Sequence, residues 1–122
     1  MACTSGNVST GYSKPTIRTC VTSSSGSTIA IQLEGTATEP NPFTGYIEFI
    51  LEVESANADA WTYVTTTKAG NWANSSTGNF NYSYTGMSAY KGKTMRVTPV
   101  FYLYNTYTGK LTSSGSHIFY MS

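Results

Sequence analysis

One histidine stands in the chain, His117, and every acid lies far from it in sequence. A nucleophilic relay needs a base oriented by a carboxylate beside a nucleophile, so His117 is expected at the surface or capping a turn, with no catalytic role. Cys3 and Cys20 enclose a short loop containing Gly6, Gly11 and Pro15. In an oxidising compartment they are expected to form a disulfide rather than stay free, joining the N-terminal arm to the first strand and stabilising by about 3 kcal/mol on the chain-entropy model. One His, two Cys and no Asp-x-Asp-x-Asp-Gly loop leave zinc and an EF-hand calcium site without ligands. No cofactor and no metal are expected.

The most tempting group is Glu48, Glu52 and Glu54, which a strand places on one face. Two carboxylates about 5–5.5 Å apart on a concave sheet serve as acid and nucleophile in glycoside hydrolysis, and Glu52-Val53-Glu54 is similar to the acidic strand of laminarinase-type jelly rolls. Residues two apart on a strand are separated by about 6.5–7 Å, however. Those enzymes also need a far larger double sheet to build a cleft. The three acids are therefore read as a solvated strand face whose charges discourage edge pairing.

Aromatic residues offer the better lead. Tyr102, Tyr104 and Tyr107 fall at the final hairpin on the face carrying Arg96, and Trp72 falls in an Asn- and Gly-rich turn, where a core tryptophan is out of place. Exposed Tyr and Trp rings suit stacking on sugars or contact with a protein partner; the plain alternative is that they merely cover the outer sheet. Trp72, Tyr102, Tyr104, Tyr107 and Arg96 are the ligand-binding candidates. Trp61 and Tyr63 are expected to pack in the core or on the sheet. Asn7, Asn74 and Asn81 each begin a glycosylation sequon, a match that arises readily by chance in a chain rich in Ser and Asn.

The elements that must position these residues are strands. Apolar residues do not recur at helical spacing, whereas period two is strong. Ile29, Ile31 and Leu33 share one face of a strand, and Ile47, Phe49, Leu51 and Val53 lie opposite Glu48, Ile50, Glu52 and Glu54. A strand at 60–68 is followed by one placing Phe80, Tyr82 and Tyr84 opposite Asn79, Asn81 and Ser83. Residues 93–104 form the next, and Pro99 on its inner register predicts a bulge or an edge position at mid-strand. A turn at 105–110, a strand through His117 to Tyr120 and an initial strand at 16–22 complete the set. Turns are expected at 23–27, 39–45, 55–59, 70–78 and 86–92.

Seven short antiparallel strands predict an all-β chain, a β-sandwich of immunoglobulin-like or fibronectin-like architecture, with a jelly roll or small barrel as alternatives. Residues 1–14 read as an N-terminal arm tethered by Cys3, and 15–122 as a single sandwich domain. At 122 residues and 13.2 kDa such a domain buries around two-thirds of its open-chain surface.

Charge narrows the partners. Seven Lys and Arg against six Asp and Glu give +1, with no basic run, so nucleic acid is not an expected partner. No apolar run approaches the ~20 residues of a membrane span. All six acids lie between Glu34 and Asp59, and every Lys and Arg lies outside that stretch. The simpler reading pairs a Glu-rich strand with one carrying Lys91, Lys93 and Arg96; the alternative is head-to-tail association between molecules.

Several segments together resemble small exported β-sandwich proteins of Gram-positive bacteria. They are the Cys beside the first strand, Ser25-Gly26-Ser27 before Ile29, the strand Tyr46 to Val53, Ala60-Trp61-Thr62-Tyr63-Val64, Tyr90-Lys91-Gly92-Lys93-Thr94-Met95-Arg96-Val97 and a polar final hairpin. Met95 stands where that group usually has an aromatic residue. The resemblance implies export and a sandwich fold; the group has no assigned activity, so no site residue follows from it. Met1-Ala2 has neither the charged nor the apolar region of a signal peptide. The expected function is that of a non-catalytic module, secreted or displayed on a cell surface, that binds a protein partner or surface glycan through exposed aromatics. The alternative is a structural, self-associating subunit of an extracellular filament or a decoration protein on a phage virion surface.

Overall fold

A computed structural model describes residues 2–7, 16–35, 43–56, 60–74, 78–103, 109–112 and 116–122. The chain is all-β, with two antiparallel sheets. Its elements are β1 (Ala2–Asn7), β2 (Thr16–Ser25), β3 (Thr28–Gly35), β4 (Phe43–Glu54), β5 (Trp61–Asn74), β6 (Gly78–Thr85), a 3₁₀ turn (Ser88–Tyr90), β7 (Thr94–Leu103), β8 (Gly109–Thr112) and β9 (His117–Tyr120). One sheet has the order β1-β2-β3-β6; the other has β5-β4-β7, with β8 and β9 sharing the far edge of β7.

The described residues thus form nine strands rather than the seven expected. The two additions are β1 and β8, whose residues are almost wholly small or polar and show no apolar alternation. β1 lies within the stretch expected to be an arm. It becomes a strand because β2 offers it a backbone ladder from Ala2↔Val21 to Asn7↔Thr16. β8 begins at Gly109, so the strand takes up the last two positions of the expected 105–110 turn.

Alternation fills the core as expected. Ile29, Ile31 and Leu33 of β3, Ile47, Phe49 and Leu51 of β4, and Met95, Val97 and Phe101 of β7 are all buried in one cluster with Ile17, Met87, Phe119 and Met121. Each such side chain removed from water is worth about 1.5–3 kcal/mol. The sheets meet directly where Phe49 stacks on Tyr82 of the other sheet, with ring centroids 5.7 Å apart. Thr67 of β5 also hydrogen-bonds the Tyr82 hydroxyl.

Pro99 sits where the far edge of β7 is shared out. β9 pairs Thr94 to Val97 and β8 pairs Val100 to Leu103, so Thr98 and Pro99 are the residues that neither strand covers. The β4 side runs through Pro99 opposite Phe49 without a register shift. The missing N–H of Pro99 therefore falls at a local edge inside an otherwise central strand.

Two bulges shape β5. Its ladder to β4 shifts between Leu51 and Glu52, which leaves Val64 extra, and between Ile47 and Glu48, which leaves Ala69 extra. Gly70 follows the second bulge at φ +127°, a backbone conformation that side-chain-bearing residues rarely adopt. The ladder resumes beyond it, and residues 71–74 extend β5 where a turn was expected. After β9 the chain is tied to both sheets. Met121 N–H donates to Lys93 O at 3.0 Å and its carbonyl accepts from Gly92 at 2.7 Å, while Ser122 exchanges 3.0 Å bonds with Ser24 and Gly26.

Candidate functional site

The outer face of β5-β4-β7-β9 holds the group with most chemistry. Period two puts Glu48, Glu52 and Glu54 on this face of β4, as expected, and the β4–β7 register sets Arg96 opposite Glu52. Arg96 Nε and Nη2 both donate to Glu52 Oε1, at 2.9 and 2.8 Å. Its guanidinium lies over the Trp61 ring, 4.6 Å from the centroid. Lys91 and Lys93 precede β7 and do not enter the ladder, so only Arg96 fulfils the expected pairing with the Glu-rich strand.

Trp61 and Tyr63 were expected to pack in the core or on the sheet. Trp61 packs on the sheet, half-buried beneath Arg96, whereas Tyr63 is 61% exposed. The cause is register: Trp61 pairs with Glu54 and Tyr63 with Glu52, so both share the acids' face. The bulge at Val64 then shifts the phase, and Thr67 rather than an aromatic points inward opposite Phe49. Across β7, Ile118 pairs with Arg96 and Tyr120 with Thr94; both are over half exposed, at 55% and 57%. Sequence reasoning missed these two, although burial of Phe119 in a four-residue strand requires its neighbours to face out.

Of the expected ligand-binding residues, Arg96 and Tyr102 stand apart along β7. Arg96 belongs to the face just described. Tyr102 lies six positions further along β7, in register with Tyr46 and Lys110, which at ~3.3 Å per residue is about 20 Å away. Trp72 stands in β5 opposite Gly45 rather than in a turn, because the ladder continues past Gly70. Tyr104 and Tyr107 lie outside the described residues.

Cys3 and Cys20 are bonded, with sulfurs 2.06 Å apart, at directly opposed positions of β1 and β2. The bridge lies within one sheet and does not join the two. His117 is not at the surface: it is 5% exposed and points between the sheets from β9. There its Nδ1 lies 2.9 Å from Thr4 Oγ1 of β1. Burial pushes its pKa below 6.5, and the neutral ring shares a hydrogen bond with the Thr4 hydroxyl whose direction is set by the imidazole tautomer. Thr19, which pairs with Thr4 across the ladder, buries an Oγ1 with no partner among the described residues.

Among the described residues no three His, Cys, Asp or Glu side chains converge to hold a metal ion, and no helix is long and apolar enough to cross a membrane. The arrangement suits recognition. A guanidinium fixed by a carboxylate and an indole is pre-ordered, and the rings and aliphatic chain around it offer apolar area to a second surface. Comparison of the chain with protein-family models, curated proteins and solved structures gives no match.

Proposed function

We propose that the chain is a non-catalytic, exported or surface-displayed β-sandwich module of fibronectin-like type that binds a protein partner through the outer face of β5-β4-β7-β9. One observation supports this above all: Arg96 is clamped between Glu52 and Trp61, and Tyr63, Ile118 and Tyr120 are exposed beside it. Trp, Tyr and Arg dominate the energetics of protein interfaces. Exposed Ile118 favours a protein over a sugar, since an aliphatic chain adds nothing to sugar stacking. An intrachain disulfide suits an oxidising compartment outside the cytosol. With β1 and β8 set aside, the orders β2-β3-β6 and β5-β4-β7-β9 support three strands facing four, as in fibronectin-like sandwiches.

The test uses Trp72→Phe, so that Trp61 is the sole tryptophan. Fractionated surface proteins and a glycan array are titrated against this protein and against the same protein with Tyr63→Ala and Ile118→Ser. A protein fraction that shifts Trp61 emission, and does so at least tenfold more weakly with the double change, supports the reading. Glycan binding at Trp61 moves the assignment to a sugar module, and binding indifferent to both changes refutes this face.

A further inference from the structure

We propose that the outer edge of β6, with which no other described strand pairs, is a homodimer interface, at which two copies pair antiparallel and join their four-stranded sheets into one of eight. Among the described strands, the two sheets end at β1, β5, β6 and the shared β8 and β9. Three are protected in ways natural sheets use against edge pairing. β5 has two bulges and Lys68, β8 and β9 are four residues each and interrupted at Thr98 and Pro99, and β1 is shorter than β6, at six residues.

β6 has none of these devices. Its eight residues, Gly78-Asn79-Phe80-Asn81-Tyr82-Ser83-Tyr84-Thr85, contain no charge and no proline, and its register with β3 runs unbroken from Thr28↔Thr85 to Gly35↔Gly78. No other described segment pairs with its outer edge. Alternate residues of an antiparallel edge strand direct N–H and C=O groups outward, ready for a second strand.

The occupant follows from self-complementarity. An antiparallel pair needs a twofold axis, and one centred on Tyr82 keeps both faces in phase. Phe80 then meets Tyr84 of the second copy on the inner face, and Asn81 meets Ser83 on the outer. No like charges oppose one another, and the outer pairs are side chains able to hydrogen-bond each other. Asn81 and Ser83 are exposed in the monomer, so changes there leave the core intact.

The experiment is light scattering across concentration on the unreduced full chain. The wild type is expected to show a monomer–dimer equilibrium. N81K/S83K sets one introduced lysine opposite another twice per dimer and should weaken association about tenfold or more. N81K/S83E turns those same contacts into lysine against glutamate and should restore association to at least the wild-type level. A wild type that stays monomeric at all concentrations overturns the proposal, including one whose β6 amides gain exchange protection only when an extended peptide is added. A dimer insensitive to N81K/S83K, or weakened equally by N81K/S83E, also overturns it. Neither outcome depends on the face around Trp61, whose variants leave β6 unchanged.

Discussion

Reducing the Cys3–Cys20 bridge removes a constraint from the unfolded chain while leaving every heavy atom of the native contacts in place. The cysteines are 17 residues apart, and the chain-entropy relation for a loop of that length gives about 10 cal/mol/K, or about 3 kcal/mol at 25 °C. With a urea m-value of about 2 kcal/mol/M, the midpoint should fall by about 1.5 M on reduction. Urea titrations of the oxidised protein and of the protein held in a phosphine reductant, followed by tryptophan emission, measure this directly. A lower midpoint with a somewhat steeper slope is the expected pattern, because the released unfolded chain exposes more surface while native β1 keeps six residue pairs on β2 and the Thr4–His117 contact. Coincident curves, within about 0.3 M, would refute the reasoning.

Two further outcomes follow from the described contacts. A double-mutant cycle on Arg96→Met and Trp61→Leu should give a coupling of about 0.5–1 kcal/mol in urea unfolding, since both partners are partly buried; additive losses would mean that the ring gives the cation no support. His117 makes stability depend on pH. Its folded pKa lies below the 6.5 of the unfolded chain, so between the two values the unfolded chain binds a proton that the native chain does not. Stability should decline as pH falls from about 6.5 through the folded pKa and then level off. His117→Gln should flatten that part of the profile, and an unaltered profile would assign it to the carboxylates.

Much of the architecture was legible because the core obeys one rule. Ile29, Ile31 and Leu33 of β3, Ile47, Phe49 and Leu51 of β4, and Met95, Val97 and Phe101 of β7 all enter the core from alternate positions. The chain was misread where backbone pairing acts without apolar pattern. β1 and β8 carry few apolar residues and pair because a neighbouring strand supplies hydrogen-bond partners, which period analysis does not detect. The outer face around Trp61 was hidden by a different effect. Aromatic residues suit both the interior and the wet side of a sheet, and only the pairing with Glu52 and Glu54, followed by the bulge at Val64, decides between them. His117 was misplaced because a buried imidazole needs one distant partner, Thr4, 113 residues away.

The joining of Ala2 and Ser122 to neighbouring stretches of β2 has a mechanical consequence. Ala2 pairs with Val21 and Ser122 is bonded to Ser24, so both positions lie along a single strand edge. Tension applied at Ala2 peels one residue before it reaches Cys3, where the covalent bridge passes the load into Cys20 and the middle of β2. Tension applied at Ser122 enters through bonds to Ser24, Gly26 and, by way of Met121, the turn before β7. A tether at either position therefore pulls on the same flank, while β6, at the opposite end of the β1-β2-β3-β6 sheet, remains unloaded.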